Sequence, residues 1–367
     1  MKIKTINLNK NYYIIKNNLK ISLNKLFFKQ KFILGNEVNI LEKKLSTYLK
    51  VKYSLGVSSG SDALIVALLG CGIKKNDEVI IPDMTWISTA SSIIFVGAKP
   101  VLADVNISDG TINIESLKNK ITKKTKAIIS VGLYGHLPQL DKLSKIAKNK
   151  NIYLINDGAQ SFGSKYKDNF CHKYTTVSCT SFFPAKVLGS YGDAGACFTN
   201  NKNIYEKMKK IRAHGQSKKS YSTILGLNAR IDTLQACVLN EKIKIISKEI
   251  SRRSQILKIY HKSFSKNDKI SFLKATDKCK ANGSSVVLLL KNKKKFQKYM
   301  MKCGIETSNL YNFTISEQPV FKKFNNKKLY NSKIISKENV CLPVHPYMTD
   351  NQVNFVIKCV DKYFGKL

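Results

Sequence analysis

Short apolar runs and amphipathic stretches take turns through the first two thirds of this chain. YSLGV (53–57) precedes SDALIVALLG, and EVIIP with Asp83 precedes TWISTASSIIF. KPVLADV precedes IESLKNKI, and KAIISV (126–131) precedes PQLDKLSKIAKNK. IYLIND (152–157), TVSCTSF and GACFTN complete the set. Strands covered on both faces are apolar throughout, and parallel neighbours need a crossover of a dozen or more residues. The alternation therefore predicts an α/β fold whose mostly parallel sheet lies between helical layers. After about residue 230 the pattern changes. RIDTLQACVLNEKIKIISKEISRRSQILKIYHKSF has the period of one long amphipathic helix. Strand-like SSVVLLL (284–290), a helix through KKKFQKYMMKCG and a last helix in TDNQVNFVIKCVDKYFG follow. We expect a large domain over residues 1–240 and a smaller C-terminal α/β domain over 241–367, joined by the long helix.

Composition narrows the function classes. Of 367 residues, 43% are apolar, enough for a sizeable core. No apolar run approaches the roughly 18 residues that a membrane helix needs. The opening MKIKTINLNKNYYIIKNN is polar and lacks the apolar block of a secretory signal. Nine cysteines are scattered without the paired short spacings of a zinc site. These features lead us to expect a cytoplasmic protein with reduced thiols, no metal and no membrane partner. The formal charge of +39, from 63 basic and 24 acidic residues, raises the question of nucleic acid. The lysines, however, form no tail and accompany no aromatic-studded motif. The densest group, Lys291 with Lys293, Lys294 and Lys295, opens a predicted helix. We therefore expect no nucleic-acid partner, although the field would attract a phosphorylated substrate.

Three segments carry chemistry. In VSSGSDALIVALLG, a strand ends at Ser58, a turn of small residues follows, and a helix begins near Asp62. Free backbone N–H groups at such a helix start can cradle a phosphate, although Ser-Gly-Ser-Asp is also ordinary capping chemistry. In IYLINDGAQSFGSKY, Asp157 sits at the C-terminal end of an apolar strand, where ligands of open α/β sheets bind. It could equally cap a helix or a turn. A buried carboxylate there needs a cationic partner, and a protonated heterocycle would supply one. In TTVSCTSFFPAKVLGSYGDAGACFTNN, Lys186 lies among Phe182, Phe183, Pro184, Val187 and Leu188. Most lysines are simply solvated, but apolar surroundings lower the pKa and free the amine as a nucleophile. Ser181, five residues earlier, could reach a phosphate. A phosphate cradle, an acid at a strand end and a reactive lysine are together the parts of a pyridoxal 5'-phosphate site. There the lysine holds the aldehyde as a Schiff base and the acid keeps the ring nitrogen protonated.

Nearly end to end, the chain resembles the nucleotide-sugar aminotransferases of the DegT/DnrJ/StrS group, fold type I of the pyridoxal-phosphate enzymes. The likeness rests on FILGNEVNILEKKL, SSGSDALIVAL, GAKPVLADV, VGLYGHLPQLDKL, NDGAQSFGSKY, SCTSFFPAKVLGSYGDAGACFTN, IRAHGQ, GLNARIDTLQA and LPVHPYMT. The resemblance implies a large three-layer domain and a small C-terminal one, and a homodimer with shared active sites. It assigns Lys186 to the cofactor aldehyde, Asp157 to the pyridine nitrogen and Gln160 to the ring hydroxyl. Trp86 would stack on the ring, while Gly60, Ser61 and Ser181 would hold the phosphate. Asn228 would reach the phosphate of the neighbouring subunit. Arg230, also from the neighbour, His214 and Tyr311 would face the substrate.

SCTSFFPAKVLGSYGD most resembles the enzymes that aminate UDP-2-acetamido-2-deoxy-3-oxo-glucuronate. The resemblance thus implies transamination of that keto sugar, with glutamate as donor, for surface polysaccharide or lipopolysaccharide biosynthesis. The chain departs from the family at Leu310-Tyr311-Asn312, where His-Tyr-Pro is usual. Asn156, Val187 and Ala194 are lesser departures, standing where an acid, Pro and Gly are usual. Leu310 leaves open a 4-keto-6-deoxy sugar as substrate, or an inactive regulatory relative. A related sugar dehydratase would carry histidine in place of Lys186.

Overall fold

The computed structural model describes residues 2–324 and 329–365. Two helices, α1 (Leu8–Lys29) and α2 (Asn36–Leu49), precede β1 (Tyr53–Val57). There follow α3 (Gly60–Gly70), β2 (Glu78–Pro82), α4 (Ile87–Phe95), β3 (Lys99–Ala103), α5 (Ile114–Lys118), β4 (Thr125–Val131), α6 (Leu140–Asn149) and β5 (Tyr153–Asp157). The two-residue β6 (Lys165–Tyr166), β7 (Val177–Ser181), β8 (Gly195–Thr199) and α7 (Lys202–Arg212) complete the alternating part. Seven of these strands form one sheet in the order β1-β8-β7-β5-β4-β2-β3. β8 is antiparallel to both neighbours, whereas β7–β5, β5–β4, β4–β2 and β2–β3 pair in parallel. Every strand except β8 therefore ends on the same edge.

Alternate side chains serve opposite faces. Val79, Ile81, Ala127, Ile129 and Ile155 pack against α3, α4 and α7, while Ile80, Ile128 and Leu154 pack against α5 and α6. Each fully buried side chain of this size contributes about 1.5–3 kcal/mol. This explains the uninterrupted apolar runs in the sequence.

The expected single helix from Arg230 is two helices. A short hairpin of β9 (Gln216–Lys218) and β10 (Tyr221–Ser222) precedes α8 (Thr233–Lys242) and α9 (Ile246–Phe264), which are separated by a turn at 243–245. α8 is buried almost all round and packs on α1 and α2, whereas α9 carries one apolar face into a second core. No single axis serves both environments. The break falls in the Ile-Lys-Ile-Ile run, where β-branched residues weaken helix propensity.

The second core surrounds a three-stranded antiparallel sheet. Its strands are β11 (Ser271–Phe272), β13 (Val286–Leu289) and β14 (Asn339–Leu342), ordered β11-β13-β14. The two-residue β12 (Cys279–Lys280) reaches across to pair with β6. α9, α10 (Lys293–Lys302) and α12 (Asp350–Tyr363) cover the sheet, and α11 (Tyr330–Glu338) leads into β14. Ile3 bridges to Ile305 and is buried in this core, so the first residues of the chain join its last third. On the strength of the two cores we propose a two-domain organisation that changes over near residues 243–245. No described helix is long and apolar enough to cross a membrane.

Candidate active site

Asp157 is the last residue of β5, level with Val131 of β4 and Cys179 of β7, at the common edge where the parallel strands end. It is only 7% exposed. Its Oδ2 accepts from Thr89 Oγ1 at 2.8 Å and its Oδ1 from the Ala159 N–H at 3.1 Å. Burial pushes the carboxyl above its ordinary range. The two donors and the positive charge of Lys186 pull it back.

Lys186 sits in the turn after β7, its backbone N–H donating to Phe183 O at 2.8 Å. Burial lowers its ammonium below the ordinary lysine value, with Asp157 acting in the opposite sense. The loop is held from beneath: Phe182 is fully buried and its carbonyl accepts from Ser190 N at 2.7 Å. At Gly189 a Cβ would stand 2.4 Å from Pro184 O, so a side chain is excluded there.

A second group lies at the start of α3. Gly60 and Ser61 are its first two residues, whose N–H groups have no acceptor within the helix. A Cβ on Gly60 would come within 2.6 Å of the Ser181 Cβ, which brings the ends of β1 and β7 together. Asp62 accepts from the Ser58 and Ser59 hydroxyls at 2.5 and 2.9 Å. Those two groups serve the turn itself. Ser61 Oγ instead donates to Ser88 Oγ at 2.8 Å, and Ser181 Oγ accepts from Phe183 N at 3.2 Å, so the Ser88 and Ser181 hydroxyl protons face no acceptor among these contacts.

Gln160 ties the segment after β4 to the segment around Leu310. Its Oε1 accepts from Tyr134 N at 2.7 Å and its Nε2 donates to Tyr311 Oη at 2.6 Å. The Tyr311 ring lies 5.2 Å from that of Trp86, itself 55% exposed. Tyr134 Oη donates to Leu310 O at 2.5 Å, and Leu310 N donates to Asn339 Oδ1 at 2.7 Å. The Leu310 side chain packs on an apolar cluster that includes Met84, Val131 and Leu133. Asn312 Oδ1 accepts from Lys293 Nζ at 3.3 Å. The segment is anchored further by buried Asp83, which accepts from Ser316 N at 2.7 Å and Ser332 Oγ at 2.8 Å.

Asn228 and Arg230 form a third group. Arg230 bridges to Val57 and Asn228 to Ala213, while Ser58 N donates to Ala229 O at 3.0 Å. With Ser58, Gly192 and Asp193 they line one open cleft. Arg230 Nε is buried and without a hydrogen-bond partner. Among the described residues Arg230 makes no ion pair. His214 is exposed, in the left-handed backbone region at φ 59, and its ring hydrogen-bonds to none of the other expected site residues.

The structure thus joins Asp157, Lys186, Gln160, Tyr311 and Trp86, and groups Gly60, Ser61 and Ser181 beside them. It leaves His214 apart. Thr89, Ser88, Tyr134 and Asp83 escaped the sequence reading. Ser88 and Thr89 lie in the first turn of α4 and Thr85 just before its N-cap Trp86, so three hydroxyls gather at one helix start, a signal legible in TWIST. The contacts of Tyr134 and Asp83 join residues far apart in sequence and leave no local signature. The arrangement fits pyridoxal phosphate. A buried carboxylate with no ion pair within 4 Å among the described residues suits a protonated ring nitrogen. A desolvated lysine suits the aldehyde, and a close-approach glycine at a helix start suits the phosphate.

The model of the DegT/DnrJ/EryC1/StrS aminotransferase family matches residues 14–361. The UDP-2-acetamido-2-deoxy-3-oxo-D-glucuronate aminotransferase of Pseudomonas aeruginosa is 33% identical, over 96% of this chain and 98% of that one. The dTDP-3-amino-3,6-dideoxy-alpha-D-galactopyranose transaminase of Aneurinibacillus thermoaerophilus is also 33% identical, over 93% of this chain and 94% of that one. A crystal structure of a DegT DnrJ EryC1 StrS aminotransferase from Brucella abortus superposes with a TM-score of 0.94 at 29% identity, covering 99% of this chain and all of that one. A model that spans nearly the whole chain, relatives alike over almost their full length, and a site built for an aldehyde, a ring nitrogen and a phosphate agree: the chain belongs to the DegT/DnrJ/EryC1/StrS family of pyridoxal-phosphate-dependent aminotransferases.

Proposed function

We propose that the protein transfers an amino group from glutamate to a nucleotide-linked keto sugar, UDP-2-acetamido-2-deoxy-3-oxo-glucuronate, in surface polysaccharide biosynthesis. The observation that carries the reaction is the Asp157–Lys186 pair at the strand edge. When bound, pyridoxal phosphate supplies a protonated ring that takes up the charge developing as the substrate's α-carbon loses its proton. The chain does the rest. Lys186 Nζ would hold the cofactor aldehyde and is the base placed to take and return a proton at the substrate's α-carbon. Asp157 would hold the ring-nitrogen proton. The α3 start with Ser61 and Ser181 would bind the phosphate, Trp86 would cover the ring and Gln160 would reach its hydroxyl.

For the sugar, the support is the likeness to the Pseudomonas relative together with Arg230, whose planar fork suits a carboxylate. His214 and Tyr311 would contact the same substrate. We place the protein in the cytoplasm as a homodimer, with Asn228 and Arg230 serving the partner's site. Nine cysteines without a disulfide and the exposed apolar residues Tyr13, Ile14, Ile21 and Phe28 on α1 support these readings. A second reading, a 4-keto-6-deoxy sugar, is favoured by Leu310, whose side chain packs on the Met84–Leu133 cluster and so leaves no hydrogen-bond donor at the position where histidine is usual.

The test incubates the purified enzyme and cofactor with 2-oxoglutarate and a panel of amino nucleotide sugars, recording glutamate. The 3-amino uronate should give the highest kcat/KM. Preference for a 6-deoxy sugar would overturn the substrate while leaving the aminotransferase assignment standing. Sharing of sites is tested by mixing Lys186→Ala and Asn228→Ala subunits. Random pairing should restore about a quarter of wild-type activity, since half the dimers regain one intact site.

A further inference from the structure

The first turn of α4 touches all three parts of the cofactor site at once. Trp86 is its N-cap residue, Ser88 takes the Ser61 hydroxyl at 2.8 Å, and Thr89 donates to Asp157 at 2.8 Å. Behind Thr89 lies a second hydroxyl, Thr85 Oγ1, at 2.8 Å. Thr85 and Thr89 are 2% and 0% exposed, so water does not compete for either. The direction of this chain of hydroxyls follows from proton counting. An ionised carboxylate only accepts, so the single Thr89 proton goes to Asp157. Thr89 Oγ1 must then accept from Thr85. Each donor polarises the next, and the chain ends on the Asp157 oxygen.

We propose that Thr89, backed by Thr85, is a positioning residue that keeps Asp157 ionised and aimed at the cofactor's ring nitrogen. The proposal rests on the reading of Asp157 as the partner of that nitrogen. Asp157 is buried, and burial alone would favour its neutral form. Four groups on other elements also act on it or sense it: the Ala159 N–H, Lys186, Tyr311 and Cys179. Thr89 Oγ1, at 2.8 Å, is the nearer of the two hydrogen-bond donors to Asp157, the other being the Ala159 N–H at 3.1 Å. Without its hydroxyl, a proton shared between Asp157 and the ring nitrogen shifts toward the carboxylate. The ring then withdraws electrons less strongly.

The experiment reconstitutes the apoenzyme with pyridoxal phosphate labelled with 15N in the ring and reads the nitrogen chemical shift, which differs between protonated and bare pyridine. Wild type and Thr89→Ser, which keeps the hydroxyl, should give the protonated signal. Thr89→Val should move the shift toward the unprotonated value, and its kcat should fall by roughly tenfold or more with a smaller change in KM. Should Thr89→Val not fold, Thr89→Ala removes the same hydroxyl without adding bulk and should give the same shift. A wild-type nitrogen signal in the folded hydroxyl-free variant would overturn the proposal. Asp157→Asn separates the two levels. If it changes the nitrogen signal while Thr89→Val does not, the Thr89 proposal alone fails. If Asp157→Asn leaves the signal unchanged as well, the reading of Asp157 fails and takes the proposal with it.

Discussion

The two sides of the site are built differently. Around Asp157 the groups are buried, and each of its carboxylate oxygens accepts a hydrogen bond, one from Thr89 in a helix turn and one from the Ala159 N–H just past the strand end. Away from Asp157, Trp86 is 55% exposed, His214 and Asn228 are exposed, and the Arg230 Nε has no partner. The first side is packed, whereas the second lies open. Chemistry common to a family can be held by a rigid sheet edge, and we propose that the choice of sugar rests on loops and on the three-residue segment in which Leu310 and Asn312 depart from the usual pattern.

Substitutions can break or sharpen this contrast. The largest effect belongs to the closed side. Lys186→Ala should abolish the visible absorbance of the bound cofactor and lower kcat by at least about 10²–10⁴-fold, because anchor and proton carrier are lost together. A variant that keeps measurable turnover near wild type would place the chemistry elsewhere. On the open side, Arg230→Ala should cost about 2–5 kcal/mol in kcat/KM for a uronate, since a substrate charge is left unpaired. The same change should matter much less for a 6-deoxy sugar, and equal losses on both would remove Arg230 from carboxylate recognition.

The sequence and the structure agree best where physical constraints are local. Asp157 is legible because an acid ending an apolar strand is costly without a cation, and Lys186 because apolar neighbours surround it. The strand alternation is legible because both sheet faces are buried. The rest depends on contacts between distant residues. Nothing in Tyr134 or Gln160 alone foretells that they link Leu310 and Tyr311, more than 150 positions away. The Glu42–Arg212 pair that grips Gly56, just ahead of the Ser58–Ser61 turn, is equally silent in the sequence. The polar start of the chain gave no hint of α1, whose burial rests on Cys237 and Val238 of α8. The break between α8 and α9 is likewise a tertiary effect that overrides a helical period.

A smaller effect concerns pH. The neutral amine of Lys186 is the form that captures the aldehyde, and burial lowers its pKa from the ordinary 10.5. Below the folded pKa the neutral fraction rises about tenfold per pH unit, and above it the rise stops. Reconstitution of the apoenzyme, followed by absorbance, should therefore speed up with pH and level off short of the ordinary lysine value. A rate still climbing at that value would mean that Lys186 is solvated like its neighbours. The smallest effect is expected at His214. Asparagine tolerates its left-handed backbone, so His214→Asn should change Tm by only what about 0.5 kcal/mol would produce. Any change should appear in KM for the sugar, and a loss confined to kcat would move His214 to the closed side.

The central claim is that one lysine among many is the cofactor's anchor. Borohydride reduction of the cofactor-loaded enzyme, followed by proteolysis and mass spectrometry, tests it directly. The account predicts a single pyridoxyl group on the peptide carrying Ser181-Phe-Phe-Pro-Ala-Lys186. A pyridoxyl group on any other lysine, with Lys186 unmodified, would contradict it.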